Sequence, residues 1–112
     1  METENLDYRE VITGDTDIEH VSLTIAAGES VARYTPLVHD PATGHYKAVA
    51  ADATKAQFLS SFAVDASTGA KSHMAIKAIV IDPLAVAYPD DMADELKSGL
   101  FAGTPISIQS PA

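Results

Sequence analysis

The chain contains no cysteine, which removes disulfides, thiolate nucleophiles and cysteine-based zinc sites and leaves the redox compartment open. Basic residues are scarce, with 7 Lys and Arg against 16 Asp and Glu and a formal charge of −9. Phosphate recognition needs clustered Lys and Arg, so nucleic acid is excluded as an expected partner. Although 46% of the residues are hydrophobic, the wholly apolar runs are a few residues long, far below the ~20 of a membrane-spanning helix, and no membrane partner is expected. The start, Met-Glu-Thr-Glu-Asn, has neither the basic region nor the apolar region of a signal peptide, and the expectation is a soluble protein made inside the cell. A glycine-rich phosphate loop, a G-x-S-x-G elbow and H-E-x-x-H or H-x-x-x-H spacings are all missing. Neither catalysis nor a cofactor is called for.

What is present divides unevenly. Residues 1–29 hold eight acids (Glu2, Glu4, Asp7, Glu10, Asp15, Asp17, Glu19 and Glu29) and one base, Arg9, whereas the remainder has eight acids and six bases. An acidic arm over residues 1–19 therefore precedes a nearly neutral body over residues 20–112, which forms one domain. A domain of this size buries roughly two-thirds of its unfolded surface, so oligomerisation is a natural supplement to its stability. In the arm, Leu6, Tyr8, Val11, Ile12 and Ile18 are the large apolar side chains, too few to offset the entropy of ordering alone. Taken on its own the arm reads first as a flexible tail, and second as a segment that a partner orders as an added strand. Its charge favours a partner with a basic surface. Asp15, Asp17 and Glu19 have a calcium-loop look without the glycine and closing Glu of an EF-hand, and read as a solvated turn.

The character changes at residues 20–38. Val21, Leu23 and Ile25 alternate with Ser22 and Thr24, the period of a strand with one buried face. Ala27-Gly28 supplies a turn, suited to type II with Gly third, and residues 31–38 return as the second half of a hairpin. Pro36 marks an edge position or a bend there. Asp40-Pro41-Ala42-Thr43-Gly44 is a further turn, and residues 45–51 a short strand. Residues 57–64 read as a largely buried strand with Phe58 and Phe62 in the core and Ser60 and Ser61 structural. Residues 73–82 form the strongest strand by β-branched content, ended by Pro83.

A short helix follows, capped by Asp90 or Asp91, with Asp94 and Glu95 at the positive end of its dipole. Met92, Leu96 and Leu100 share one face, and Gly99 belongs to the termination. Ile106 and Ile108 alternate as in a terminal strand at an edge, since Pro105 removes a backbone donor. The fold class is mostly β, with short strands, long loops and one short C-terminal helix. His20, His39, His45 and His73 are separated by loops. The nearest grouping is His39, Asp40 and His45, read first as a polar surface turn and second as the lining of a small-molecule site.

Four pieces carry a family resemblance: Thr35-Pro36-Leu37 with Asp40 beyond it, the strand from Phe58 to Asp65, Tyr88-Pro89 before the acidic helix start, and Phe101-Ala102-Gly103-Thr104-Pro105-Ile106-Ser107-Ile108. In order and spacing they run through about residues 20 to 108, and the last is the most specific. On these residues the chain resembles the head decoration, or capsid stabilisation, proteins of tailed bacteriophages of the lambda type. The resemblance implies a β-clip-like body that forms a homotrimer without enzymatic activity. It places the trimer on the outside of the expanded capsid at three-fold sites, where it clamps the major capsid protein against packaged DNA. The virion would be its location, after synthesis in the bacterial host cytoplasm. It also implies an N-terminal arm that orders against the shell, which reverses the order of the two arm readings and makes Leu6, Tyr8, Val11 and Ile12 the apolar capsid-binding anchors. The second reading, from a different class, is a β-clip small-molecule-binding module or trimeric β-clip enzyme built on His39, Asp40 and His45. No motif of the trimeric nucleotide hydrolases is present.

Overall fold

A computed structural model describes residues 18–109. The expected anchors Leu6, Tyr8, Val11 and Ile12 lie outside the described residues. Within them the protein is mostly β, with strands β1 (Glu19–Ile25), β2 (Ser30–Val31), β3 (Pro36–His39), β4 (Tyr46–Ala48), β5 (Phe58–Leu59), β6 (Val64–Asp65), β7 (Lys71–Ile81) and β8 (Ile106–Ile108). A 3-10 turn at Pro83–Ala85 and one short helix, α1 (Asp94–Gly99), lie between β7 and β8. The body takes in Glu19 as the first residue of β1, and Ile18 packs against its larger core.

β7 is the axis. Its first half alternates, with His73 and Ala75 buried and Met74 exposed, and from Ala78 to Ile81 it is buried continuously. The change follows its neighbours. β1 pairs antiparallel along most of the strand (Ile25↔Lys71, Leu23↔His73, Val21↔Ala75), and β8 pairs parallel only with its end (Ile79↔Ile106, Ile81↔Ile108). A parallel partner needs a long crossover, which the segment carrying α1 provides, and that segment brings Met92, Leu100 and Phe101 onto Ile79 and Ile81 in the larger core. The strand pairings also close a ring, from β1 through β4, β3, β5 and β7 back to β1. A smaller core on the ring joins Ile25, Leu37, Val64 and Ala75.

The hairpin expected over residues 20–38 is not made. Ala27-Gly28 does reverse the chain: Glu29 N–H donates to Ala26 O at 3.2 Å, and Gly28 has φ 90, the features of a type II turn. Such a turn splays flanking strands, because hairpins need the mirror-image types. β1 therefore pairs with β7, and β2 pairs with β6 (Val31↔Val64). Pro36 is likewise not at an edge. It heads β3, fully buried and flanked by β4 and β5, and the first position of a strand is where a missing N–H does least harm.

Residues 57–64 are not one strand. After Leu59 the chain bends, pairing resumes at Val64, and Phe62 is 54% exposed instead of lying in the core. The bend turns Phe62 out of the core in which one unbroken, largely buried strand was expected to hold it. Neither Asp90 nor Asp91 caps the helix; Ala93 is the cap residue and offers no side-chain hydrogen bond. Asp91 sits at φ 66, and Met92 N–H donates to Pro89 O at 3.3 Å, so a turn occupies the expected first turn of helix. Asp94 and Glu95 do open α1 and Gly99 ends it, as expected. Met92 precedes α1 yet shares the core with Leu100. Because Asp91 is exposed in a left-handed conformation that glycine adopts freely, Asp91→Gly is expected to stabilise by about 0.5 kcal/mol, read as a higher urea midpoint at unchanged slope.

Candidate functional surfaces

The turn between β3 and β4 holds His39, Asp40 and His45 close in the chain but gives them separate tasks. Asp40 accepts the Ala42 N–H on its carboxylate at 3.0 Å, and its own N–H donates to His45 O at 2.8 Å. The exposed His39 ring meets the Tyr46 ring edge-on at 5.3 Å. Asp40 is thus engaged in shaping the turn, as Asx residues are, while the His39 ring packs on Tyr46. Among the described residues no group of three or more His, Asp or Glu is placed to hold a metal ion, and none of the helices there is long and apolar enough to cross a membrane.

A shallow cleft of about 290 Å³ lies where the chain enters the body, lined by Ile18, His20, Arg33, Tyr34, Ser61, Ile76 and Ile79. Its wall is held by an unusual turn. Tyr34 is buried at φ 62, and the Arg33 guanidinium lies 4.6 Å from its ring centre. Such a conformation is costly for an aromatic residue and persists only where surroundings over-determine it. Here Tyr34 N–H donates to Ser60 O at 2.9 Å, Ala87 N–H donates to Tyr34 O at 3.0 Å, and the side chain belongs to the larger core. Ser60 completes the lock. Its buried hydroxyl donates to Ala32 O at 2.6 Å and accepts the Thr35 N–H at 2.9 Å.

The next residue, Ser61, ties the bend to β7. Its N–H donates to His73 Nε2 at 3.1 Å, and its hydroxyl donates to Met74 O at 2.6 Å. His73 is only 3% exposed, with its Nδ1 buried and without a hydrogen-bond partner among the described residues. Desolvation holds its pKa below the ordinary 6.5. The Phe62 ring packs edge-on against it at 4.6 Å. Histidine spacing alone passed over this residue. The signal was the alternation along β7, which sets His73 on the face of the buried Ala75.

The C-terminal piece forms a tight turn before β8. Gly103 takes φ 83, Thr104 donates its hydroxyl to Phe101 O at 2.7 Å, and Ile106 N–H donates to Thr104 Oγ1 at 3.2 Å. Tyr88 packs partly buried against the same core, where burial pushes its phenol pKa up, and the Lys97 ammonium lies 5.3 Å from its ring centre. No protein-family model matches this chain, and no curated protein does.

Proposed function

We propose that this protein is a structural head decoration protein of a tailed bacteriophage, without enzymatic activity. It binds as a homotrimer to the outside of the expanded capsid at three-fold sites and stabilises the shell of major capsid protein against packaged DNA. The observation that supports this reading is the meeting of the resembling pieces. Leu59, Tyr88, Phe101 and Ile106 come from three stretches far apart in the chain and pack in one core, while Thr35 and Pro36 are tied to Ser60 and Leu59. A shared pattern made of residues that hold a body together, instead of residues that converge on a substrate, suits a protein whose work is mechanical. The ring of short strands joined by long loops suits the β-clip-like body that the resemblance implies.

The mechanism is multivalent attachment. A trimer offers three acidic arms, each adding a strand to a basic shell surface through Leu6, Tyr8, Val11 and Ile12. Three weak engagements combine through high effective concentration, which raises avidity by about 10²- to 10⁴-fold over one arm. The small-molecule reading rests on His39, Asp40 and His45 meeting in a cleft between subunits, and Asp40 is already engaged in shaping its own turn.

The test is deletion of residues 1–17. The shortened chain is expected to remain a folded trimer by light scattering and circular dichroism and to lose its binding to expanded capsids in a co-sedimentation assay. Undiminished binding would overturn the role of the arm, and a full-length monomer would overturn the assembly.

A further inference from the structure

We propose that His73 is an acid-operated latch on the bend that carries Phe62. The inference stands on the body alone and does not depend on the decoration reading. Its basis is a one-way hydrogen bond. A backbone N–H can only donate, so the Ser61 N–H at 3.1 Å requires a lone pair on His73 Nε2 and places the single ring proton of the neutral imidazole on Nδ1. Protonating Nε2 sets a donor against a donor. The bond that fastens the bend to β7 is then lost, and a positive charge is left in a buried site.

Among the described residues no counter-charge is at hand. On the face of β1 that packs with His73, the residues are Val21, Leu23 and Ile25, with Leu23 directly opposite. From the bend come Ser61 and Phe62, whose ring is uncharged and lies 4.6 Å from the imidazole, centre to centre, with the ring planes at 66°. β6 contributes Val64 and the exposed Asp65, whose carboxylate accepts the Ser67 N–H at 3.0 Å and is held below its ordinary pKa first by the Ser67 hydrogen bonds. On β7 itself, Lys71 shares the face of His73, is exposed, and repels a second cation. Burying an uncompensated charge is costly, so the charged ring is accommodated only when it swings outward. The ring's outward path is covered by Phe62, which is 54% exposed and therefore displaced with little loss of buried area.

The sign follows from linkage. The closed state binds His73 neutral while the opened state binds protons near the ordinary 6.5, so the latch holds fully above that pH and weakens as pH falls below it. The expected opening between pH 7.5 and 5.0 rises by up to about thirtyfold.

Amide hydrogen exchange on the full chain, with observed rates normalised to intrinsic rates at each pH, reads this directly. Protection at Ser61 is expected to fall between pH 7.5 and 5.0, by at most about thirtyfold, while protection at Ile79 in the larger core holds. His73→Gln, whose side-chain carbonyl can accept the Ser61 N–H but cannot titrate, is expected to make Ser61 protection independent of pH. An equal fall in the variant, which keeps His20, His39 and His45, overturns the proposal. If the variant does not fold, the His73 ring resonances of the unaltered protein decide. A titration midpoint below 6.5 that coincides with the change at the Ser61 amide supports the latch. A midpoint at or above 6.5 with Ser61 still protected overturns it.

Discussion

Replacing Ile79 by alanine is expected to lower unfolding stability by about 3–4 kcal/mol, a large share of what a single domain of this size holds in reserve. Ile79 is fully buried, pairs with Ile106 across β7 and β8, and lies in the core that unites Leu59, Leu100 and Phe101. It stands where the ring, the crossover and the terminal strand all meet, so no single element can move to fill the space. The loss therefore combines the transfer energy of the deleted carbons with a cavity that stays open. Backbone pairing is untouched, since the Ile79 N–H donates to Pro105 O. Urea unfolding measures the effect as a lowered midpoint. Leu84→Ala is the matched control: Leu84 is 93% exposed and its truncation is expected to change stability by less than about 0.5 kcal/mol. A cost for Ile79→Ala as small as that of Leu84→Ala would remove the junction from the account of this fold.

Ser60→Ala is expected to cost about 2 kcal/mol, although it deletes one oxygen. The energy arises from what is left behind. Thr35 N–H loses its acceptor in a buried site, and an unpaired buried donor carries its full desolvation penalty. The Ala32 carbonyl loses the Ser60 hydroxyl but keeps the Thr35 hydroxyl at 2.8 Å, which limits the damage to one orphaned group. The same loss loosens the turn that holds Tyr34 at φ 62, so the midpoint of thermal unfolding should fall by roughly 8–16 °C, at about 4–8 °C per kcal/mol. Ser61→Ala makes the comparison, because the Ser61 hydroxyl bonds to Met74 O in an exposed setting; its expected cost is below about 1 kcal/mol. Equal melting temperatures for the two variants would show that the Ser60 lock contributes nothing particular.

The Ser60 prediction falls on a residue whose identity says little about its importance. Ser60 is a polar residue in an apolar run, and nothing in that run shows which groups its hydroxyl meets. It is buried because a bend follows it and because β5 lies between β3 and β7, which brings the 32–35 turn onto its hydroxyl. His73 hides in the same way. Its burial follows from β7 alternation, but its role depends on Ser61 and Phe62, which reach it only after the chain turns at residues 60–63.

Local chemistry was legible where a few neighbouring residues decide the outcome. The alternation of Val21, Leu23 and Ile25 made β1, the β-branched run made β7, and Pro83 ended it. Gly28 at φ 90 and Gly103 at φ 83 turned the chain, and Asp94, Glu95 and Gly99 bounded the helix. These are choices of backbone conformation, with energies set within about one turn of chain. Partnership was decided elsewhere. Whether β1 would meet residues 31–38 or β7, whether Pro36 would lie inside a sheet, and whether Phe62 would be covered all depend on which apolar faces can be buried together. That burial energy is gained only between segments distant in the chain, and the type II turn at Gly28 removed the nearby alternative. The sequence by itself thus determined β1, β7, the turns at Gly28 and Gly103 and the end of α1, and the tertiary structure decided the breaks within residues 31–38 and 57–64, the start of α1 and the pairing of the strands, because conformation is a local free energy and burial is a collective one.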